Sequence, residues 1–159
     1  MALSVSAASD APAPHTMQFM GFITGRPVLI LVDSGSGHSF ISSAITASLP
    51  GVRPLQVPMI VRVADGGVLS CQSELPDMEL EVQDHCFHST LRVLSLGSYD
   101  IILGMDWLSA FSPMKVNWQD KWMSIPYGPI AVVLQALQSS ESGCNVIQLF
   151  NIIFDATVE

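Results

Sequence analysis

Residues 28–40, VLILVDSGSGHSF, constrain this chain more than any other stretch. The aliphatic run Val28 to Val32 reads as a buried strand, and it ends on a carboxylate, Asp33, with Gly35 and Gly37 close behind. Two glycines so near each other signal that something approaches the backbone closely. A carboxylate at the end of a buried strand is costly unless it is hydrogen-bonded, and Ser34, Gly35 and Ser36 offer hydroxyl and backbone N–H donors beside it. Asp33 is therefore expected to be held rigid and partly ionised.

From Met17 onward the chain is a series of short apolar or alternating segments: MQFMGFI, RPVLILV, VPMIVRVA, GVLSC, MELEV, TLRVLSL and DIILG. Gly, Pro and Asp punctuate them, which predicts an all-β domain. Between VPMIVRVA and GVLSC stand Asp65, Gly66 and Gly67, residues that tolerate positive φ, so a projecting β-hairpin is expected there. Two stretches read as short helices. In SFISSAITASL, Ser39 is the expected cap and Phe40, Ile41 and Ala44 recur at helical spacing; the other is MDWLSAF after Gly104. Residues 1–15, rich in Ala, Ser and Pro, read as a flexible leader. After Tyr127 the strand pattern stops: AVVLQALQ reads as a helix, SSESG as a linker, and CNVIQLFNIIF is apolar without clear turn chemistry. The expected division is a leader at 1–15, a domain at 16–127 and a linker or tail at 128–159.

A chain of 159 residues suits one domain with tails. With 49% hydrophobic and 13% charged residues, its middle has enough apolar material to fold, and some of that material should reach the surface and meet a partner. The formal net charge of -8, without a visible basic patch, opposes phosphate backbones and anionic lipid, so neither nucleic acid nor a membrane is an expected partner. No basic segment precedes an apolar one at the N-terminus, and the run Val28 to Val32 is far too short to span a bilayer. A soluble, cytoplasmic protein is the expectation. Cys71, Cys86 and Cys144 are odd in number and widely spaced, which fits reduced thiols. His85, Cys86 and His88 match no structural zinc spacing, and on a strand two of them would point to opposite faces. No metal or other cofactor is expected.

The tetrapeptide Asp33-Ser34-Gly35-Ser36 fits the Asp-[Thr/Ser]-Gly-[Ala/Ser] signature of aspartic proteases, and LVDSGSGHSFIS resembles the corresponding stretch of Ty3/gypsy-type retrotransposon proteases. Downstream, LGSYDIILGMDWLSAFSP resembles that family's hydrophobic-hydrophobic-Gly strand and Asp-Trp-Leu helix, in the correct order. VRVADGGVLSC is similar to its flap hairpin and KVNWQDKWMSIPY to its closing strands, so the likeness runs from about Met17 to Tyr127. The resemblance implies a retropepsin-like acid protease fold: an all-β, closed β-barrel-like monomer with a flap hairpin and one short C-terminal helix. It implies that Asp33 is catalytic and that Ser34 donates its hydroxyl across a dimer axis. Gly35 would let two carboxylates approach in one plane, Asp65 to Gly67 would close over substrate, and Ile102, Leu103 and Gly104 would support the loop. The chain has a single Asp-Ser-Gly triplet and no internal repeat, whereas a two-lobed pepsin-type enzyme needs about twice the residues. The second carboxylate must then come from a second copy, making the active form a homodimer.

Other readings of the same residues are weaker. GSGHSFISSAI superficially resembles a phosphate-cradling loop, but no Lys follows and the third Gly of a dinucleotide pattern is absent. Asp100 and Asp106 flank the Ile-Leu-Gly strand without Ser-Gly donors after them, so structural roles are favoured, with Asp106 expected to cap a helix. Trp107, Trp118 and Trp122 read as packing residues rather than a ligand platform. Ser36 is expected to donate to the carboxylate and favour its charged form. Gly37 stands where the retroelement relatives carry Thr or Ser, and it adds backbone freedom where catalysis needs rigidity. The leading expectation is thus a homodimeric aspartic endopeptidase acting on an extended peptide or polyprotein. The competing one is a catalytically inactive retropepsin-like module for dimerisation or binding.

Overall fold

The computed structural model describes residues 16–62, 66–138 and, as backbone, 155–158. The leader at 1–15, Asp65 and most of the apolar tail therefore lie outside the described residues. Strands β1 (Thr16–Ile23) and β2 (Arg26–Asp33) form an antiparallel hairpin in which Thr16 faces Asp33 and Ile23 faces Arg26. Thr24 and Gly25 both take positive φ at its tip, the conformation that matches the twist of the flanking strands. β2 is buried on both faces: Val28, Ile30 and Val32 enter the main core, whereas Leu31 enters a second, smaller one. That is why its sequence is a continuous aliphatic run instead of an alternating one.

The main sheet also contains β3 (Phe40–Ser42), β4 (Arg53–Arg62), β5 (Val68–Val82), β6 (His85–Leu94), β7 (Ile101–Leu103) and β11 (Asp155–Val158), in the order β1-β2-β7-β3-β6-β5-β4-β11. β7 lies parallel to β2, with Ile30 beside Ile101 and Val32 beside Leu103. β1 meets β5 as well, at Phe22 opposite Glu81, so the sheet curls back on itself. Gly21 permits this approach, since a Cβ there would press on the Glu81 carbonyl oxygen and the Ile30 side chain at 2.7 Å each. A second sheet, β10-β9-β8, is built from β8 (Lys115–Asn117), β9 (Trp122–Tyr127) and β10 (Ile130–Gln135). It joins the main core through Met123, Ile125, Val132 and Leu134. Helix α2 (Met105–Ala110) supplies Trp107 and Leu108 to the same core, where Phe87 meets Trp107, Phe111 and Tyr127 edge-on at 5.5–5.6 Å. Each fully buried aliphatic or aromatic side chain of this kind contributes about 1.5–3 kcal/mol.

Three local expectations change. Helix α1 covers only Ser43–Thr46, and Phe40–Ser42 is strand β3, inserted between β7 and β6. Phe40 points into the smaller core and Ile41 into the main one, so the two-residue period of a strand overrides the helical spacing seen in the sequence. The helix cap is Ser42, whose Oγ accepts from the Ala44 N–H at 3.3 Å, and not Ser39. The segment AVVLQALQ forms most of β10 instead of a helix: Val132 and Leu134 point inward while Ile130 and Val133 are exposed. Gly128, with positive φ, begins the turn that returns the chain onto β9, with Ile130 opposite Tyr127. In so short a window apolar spacing does not separate the two periods, and the turn decides.

Candidate active site

Asp33 is the last residue of β2, half-buried, and its Oδ1 accepts the Gly35 N–H at 2.8 Å. Its carbonyl accepts the Ser36 N–H at 3.1 Å, so the chain turns sharply immediately after the carboxylate. Ser34 and Gly35 occupy that turn and are half-buried. Ser36 is completely buried, and its hydroxyl donates to the His38 carbonyl at 2.7 Å. This corrects the expectation that Ser36 serves the carboxylate: the hydroxyl instead ties together the backbone of its own loop, satisfying a carbonyl that burial would otherwise penalise.

The loop is clamped from the far side by β7 and α2. The Ser36 carbonyl accepts the Met105 N–H at 2.7 Å, and the Gly104 N–H donates to Ser39 Oγ at 3.0 Å. A Cβ on Gly104 would collide with the carbonyl oxygens of both Ser36 and His38, so no other residue fits without moving the loop. Asp106 lies in the first turn of α2, whose flanking N-cap residue, Gly104, makes no side-chain cap hydrogen bond. Its carboxylate accepts from the Ser39 hydroxyl and, at 3.1 Å, from the Ser39 N–H. Asp106 is not the N-cap residue, yet its Oδ1 also accepts the Trp107 N–H of the helix's first turn at 2.7 Å, so it braces the loop while serving one helix amide. Asp100, just before β7, braces β2 in a similar way: its Oδ2 accepts the Leu29 N–H at 2.8 Å, and its own N–H donates to the Leu29 carbonyl at 3.0 Å. Ile102 and Leu103 are buried in β7 alongside Leu31 and Val32.

His38 is partly buried at the outer edge of the loop. Burial and then the Arg92 guanidinium lower its pKa, and the Asp106 carboxylate offsets some of that. Tyr99 was not singled out by the sequence. It is 1% exposed, and burial first and the charge of Asp33 second push its hydroxyl well above the usual phenol range. Its signal was an aromatic residue with a polar tip, placed immediately before Asp100 and a strand of wholly apolar residues.

At the position of the expected hairpin, β4 and β5 pair antiparallel as far as Arg62 opposite Val68. Gly66 has φ +87° and, with Gly67, is exposed; Asp65 is outside the described residues. Of the former zinc candidates, His85 packs edge-on against Tyr127, and His88 lies 3.4 Å from Asp77 and 3.6 Å from Glu79 at the surface. Among the described residues no group of three or more His, Cys, Asp or Glu is placed to hold a metal. Nor is any helix there long and apolar enough to cross a membrane.

Residues 2–124 match the family model described as retroviral aspartyl protease. Among solved structures, the crystal structure of the retroviral protease-like domain of Ddi1 from Leishmania major superimposes with a TM-score of 0.61 at 16% identity, covering 80% of this chain and 98% of that one. At that identity the likeness speaks for the fold. No curated protein sequence matches.

Proposed function

The chain belongs to the retroviral aspartyl protease family, and from that premise we propose that it is an aspartic endopeptidase active as a homodimer. One observation carries the reading: Asp33 is fixed by the Gly35 amide inside a loop that Gly104 and Asp106 lock in place. The sequence holds one such triplet. A lone carboxylate cannot both take a proton from water and give one to a carbonyl. Two Asp33 side chains from two copies can, because like charges a few Å apart do not both ionise at low cost and one proton is shared. The ionised partner takes a proton from the water as its oxygen attacks the peptide carbonyl carbon, while the protonated partner donates to the carbonyl oxygen. Collapse of the tetrahedral intermediate breaks the C–N bond, with a proton delivered to the leaving nitrogen.

In this arrangement the Ser34 hydroxyl donates across the two-fold axis and Gly35 leaves room for the carboxylates to meet. Ile102, Leu103 and Gly104 back the loop. Asp65, Gly66 and Gly67 form the flap tip, which closes over an extended peptide and positions it by strand pairing. The sheet that curls from β1 back to β5 serves as the barrel-like body. The motifs LVDSGSGHSFIS and YDIILGMDWL favour a Ty3/gypsy-type retrotransposon source, a polyprotein substrate and a cytoplasmic setting.

The test is cleavage of peptide libraries at mildly acidic pH by the purified chain, at a concentration shown to be dimeric by sedimentation. Cleavage blocked by an aspartic-protease inhibitor and lost in Asp33→Asn is expected. Silence of the wild-type dimer would instead favour the second reading, an inactive dimerisation or binding module. The observation on its side is Gly37: open space surrounds it and its φ is not left-handed, so the loop carries a glycine its geometry does not require.

A further inference from the structure

Tyr99 is among the largest fully buried side chains of the protein, and its hydroxyl has no hydrogen-bond partner among the described residues. A buried hydroxyl without an acceptor is costly, and a phenylalanine would fill the same space without that cost. Arg92 Nε and Trp107 Nε1 share the condition, but Tyr99 is the one whose hydroxyl feels the charge of Asp33. Its surroundings explain how. The ring belongs to the smaller core cluster with Leu31, Phe40 and Ile102. Leu31 lies two residues before Asp33 on β2, so both side chains leave the same face of that strand, and Ile102 is the β7 partner of Leu31. The phenol therefore sits on the face from which the carboxylate projects, and burial keeps it protonated, able only to donate or accept as a neutral group.

We propose that Tyr99 is a positioning residue for Asp33, its hydroxyl donating to the carboxylate through one bridging water. A donor on the inner side complements the Gly35 amide on the loop side, so the carboxylate plane is held from two directions. Donation to the ionised form favours that form. The inference deepens the proposed proteolytic role and rests on it for its purpose, though not for its measurement. The other titratable side chain in the cluster is Cys71, whose thiol donates to the Ser73 carbonyl. Near Asp33, the Lys121 ammonium donates to the carbonyl of Thr16, the residue paired with Asp33. His38, Arg92 and Asp106 are grouped around the loop. Tyr99→Phe leaves every one of these in place and removes only the hydroxyl.

The experiment is a carboxyl ¹³C NMR titration of Asp33 in the intact chain, wild type against Tyr99→Phe. The apparent Asp33 midpoint is expected to rise by roughly half a unit or more in the variant, and the acidic limb of kcat/KM for peptide cleavage to move in the same direction. An unchanged Asp33 midpoint overturns the proposal, even if the enzyme cuts peptides normally. A shifted midpoint in a chain that cuts nothing sinks the proteolytic reading and leaves the Tyr99 contact standing. Should the variant fail to fold, the wild-type Tyr99 ring Cζ resonance must show a step at the Asp33 midpoint; a flat profile there overturns the proposal equally.

Discussion

The loop after β2 and the tip of the β4–β5 hairpin are both glycine-containing turns that join apolar strands, yet they are built on opposite principles. In the loop, Ser36 and Ser39 are buried and each makes hydrogen bonds through both backbone and hydroxyl, and Gly104 is pressed against two of the loop's carbonyls. At the hairpin tip, Gly66 and Gly67 are exposed, a Cβ on Gly66 would meet nothing, and Ile60 and Val68 on the flanking strands present 38% and 58% of their surface to solvent. One glycine is required by contact, the other by backbone angle. Under the proposed function, a site that fixes a carboxylate and admits a long peptide would need one turn of each kind: the first is held by contacts, and the second carries exposed apolar surface on its flanking strands.

The largest effect that can break this contrast is at Gly104. Gly104→Ala must displace the Ser36 and His38 carbonyls, because backbone and not a flexible side-chain end stands in the way. A loss of about 3 kcal/mol in urea-denaturation stability is expected, within the range of severe overpacking, together with loss of any peptide cleavage. A variant as stable as wild type would mean that the loop yields easily and that the contrast with the hairpin is false.

The sequence disclosed this site unevenly, for physical reasons. Asp33, Ser34 and Gly35 were legible because a charged residue after an aliphatic strand and before a glycine is a local anomaly. The clamp on the loop is half legible: Gly104 stands out, and Asp106 reads as a residue serving its helix, but its bond to Ser39 spans 67 residues of chain. Nothing local encodes such a pairing. Tyr99 was silent for the same reason, since what distinguishes it is the face of β2 it packs against. Most strands between residues 16 and 127 are legible from apolar runs or alternation bounded by turn residues, whereas Phe40–Ser42 and Ile130–Gln135 are not, because short apolar runs satisfy both periods until a turn or a neighbouring strand chooses.

A middle-sized effect sharpens the comparison at Ser36. Its hydroxyl, on a fully buried residue, bonds to the carbonyl of partly buried His38, so Ser36→Ala leaves that carbonyl with one partner fewer. About 1–2 kcal/mol of stability should be lost. The acidic limb of the cleavage profile should stay where it is, because the lost donor does not serve Asp33. A moved limb with unchanged stability would show that the hydroxyl turns toward the carboxylate in the active dimer and that the loop is less fixed than its hydrogen bonds imply.

The smallest effects come from placing alanine at one glycine in each turn, and they should have opposite signs. Gly66 has φ +87°, where a Cβ is strained whatever the surrounding space, so Gly66→Ala should destabilise by about 1 kcal/mol. Gly37 lies in the loop, but open space surrounds it and its φ is outside the left-handed region, so Gly37→Ala should stabilise by roughly 0.4–1 kcal/mol by restricting the unfolded chain. Thermal or urea unfolding of the two variants side by side measures both. If the reading of the loop as a rigid holder is correct, Gly37→Ala should also preserve or raise kcat, since the rest of the loop already defines its path. A stabilised variant with lower kcat would mean that catalysis uses motion at Gly37. Rigidity would then end at Ser36, and the boundary between the fixed and the free regions of the site would fall inside the loop itself.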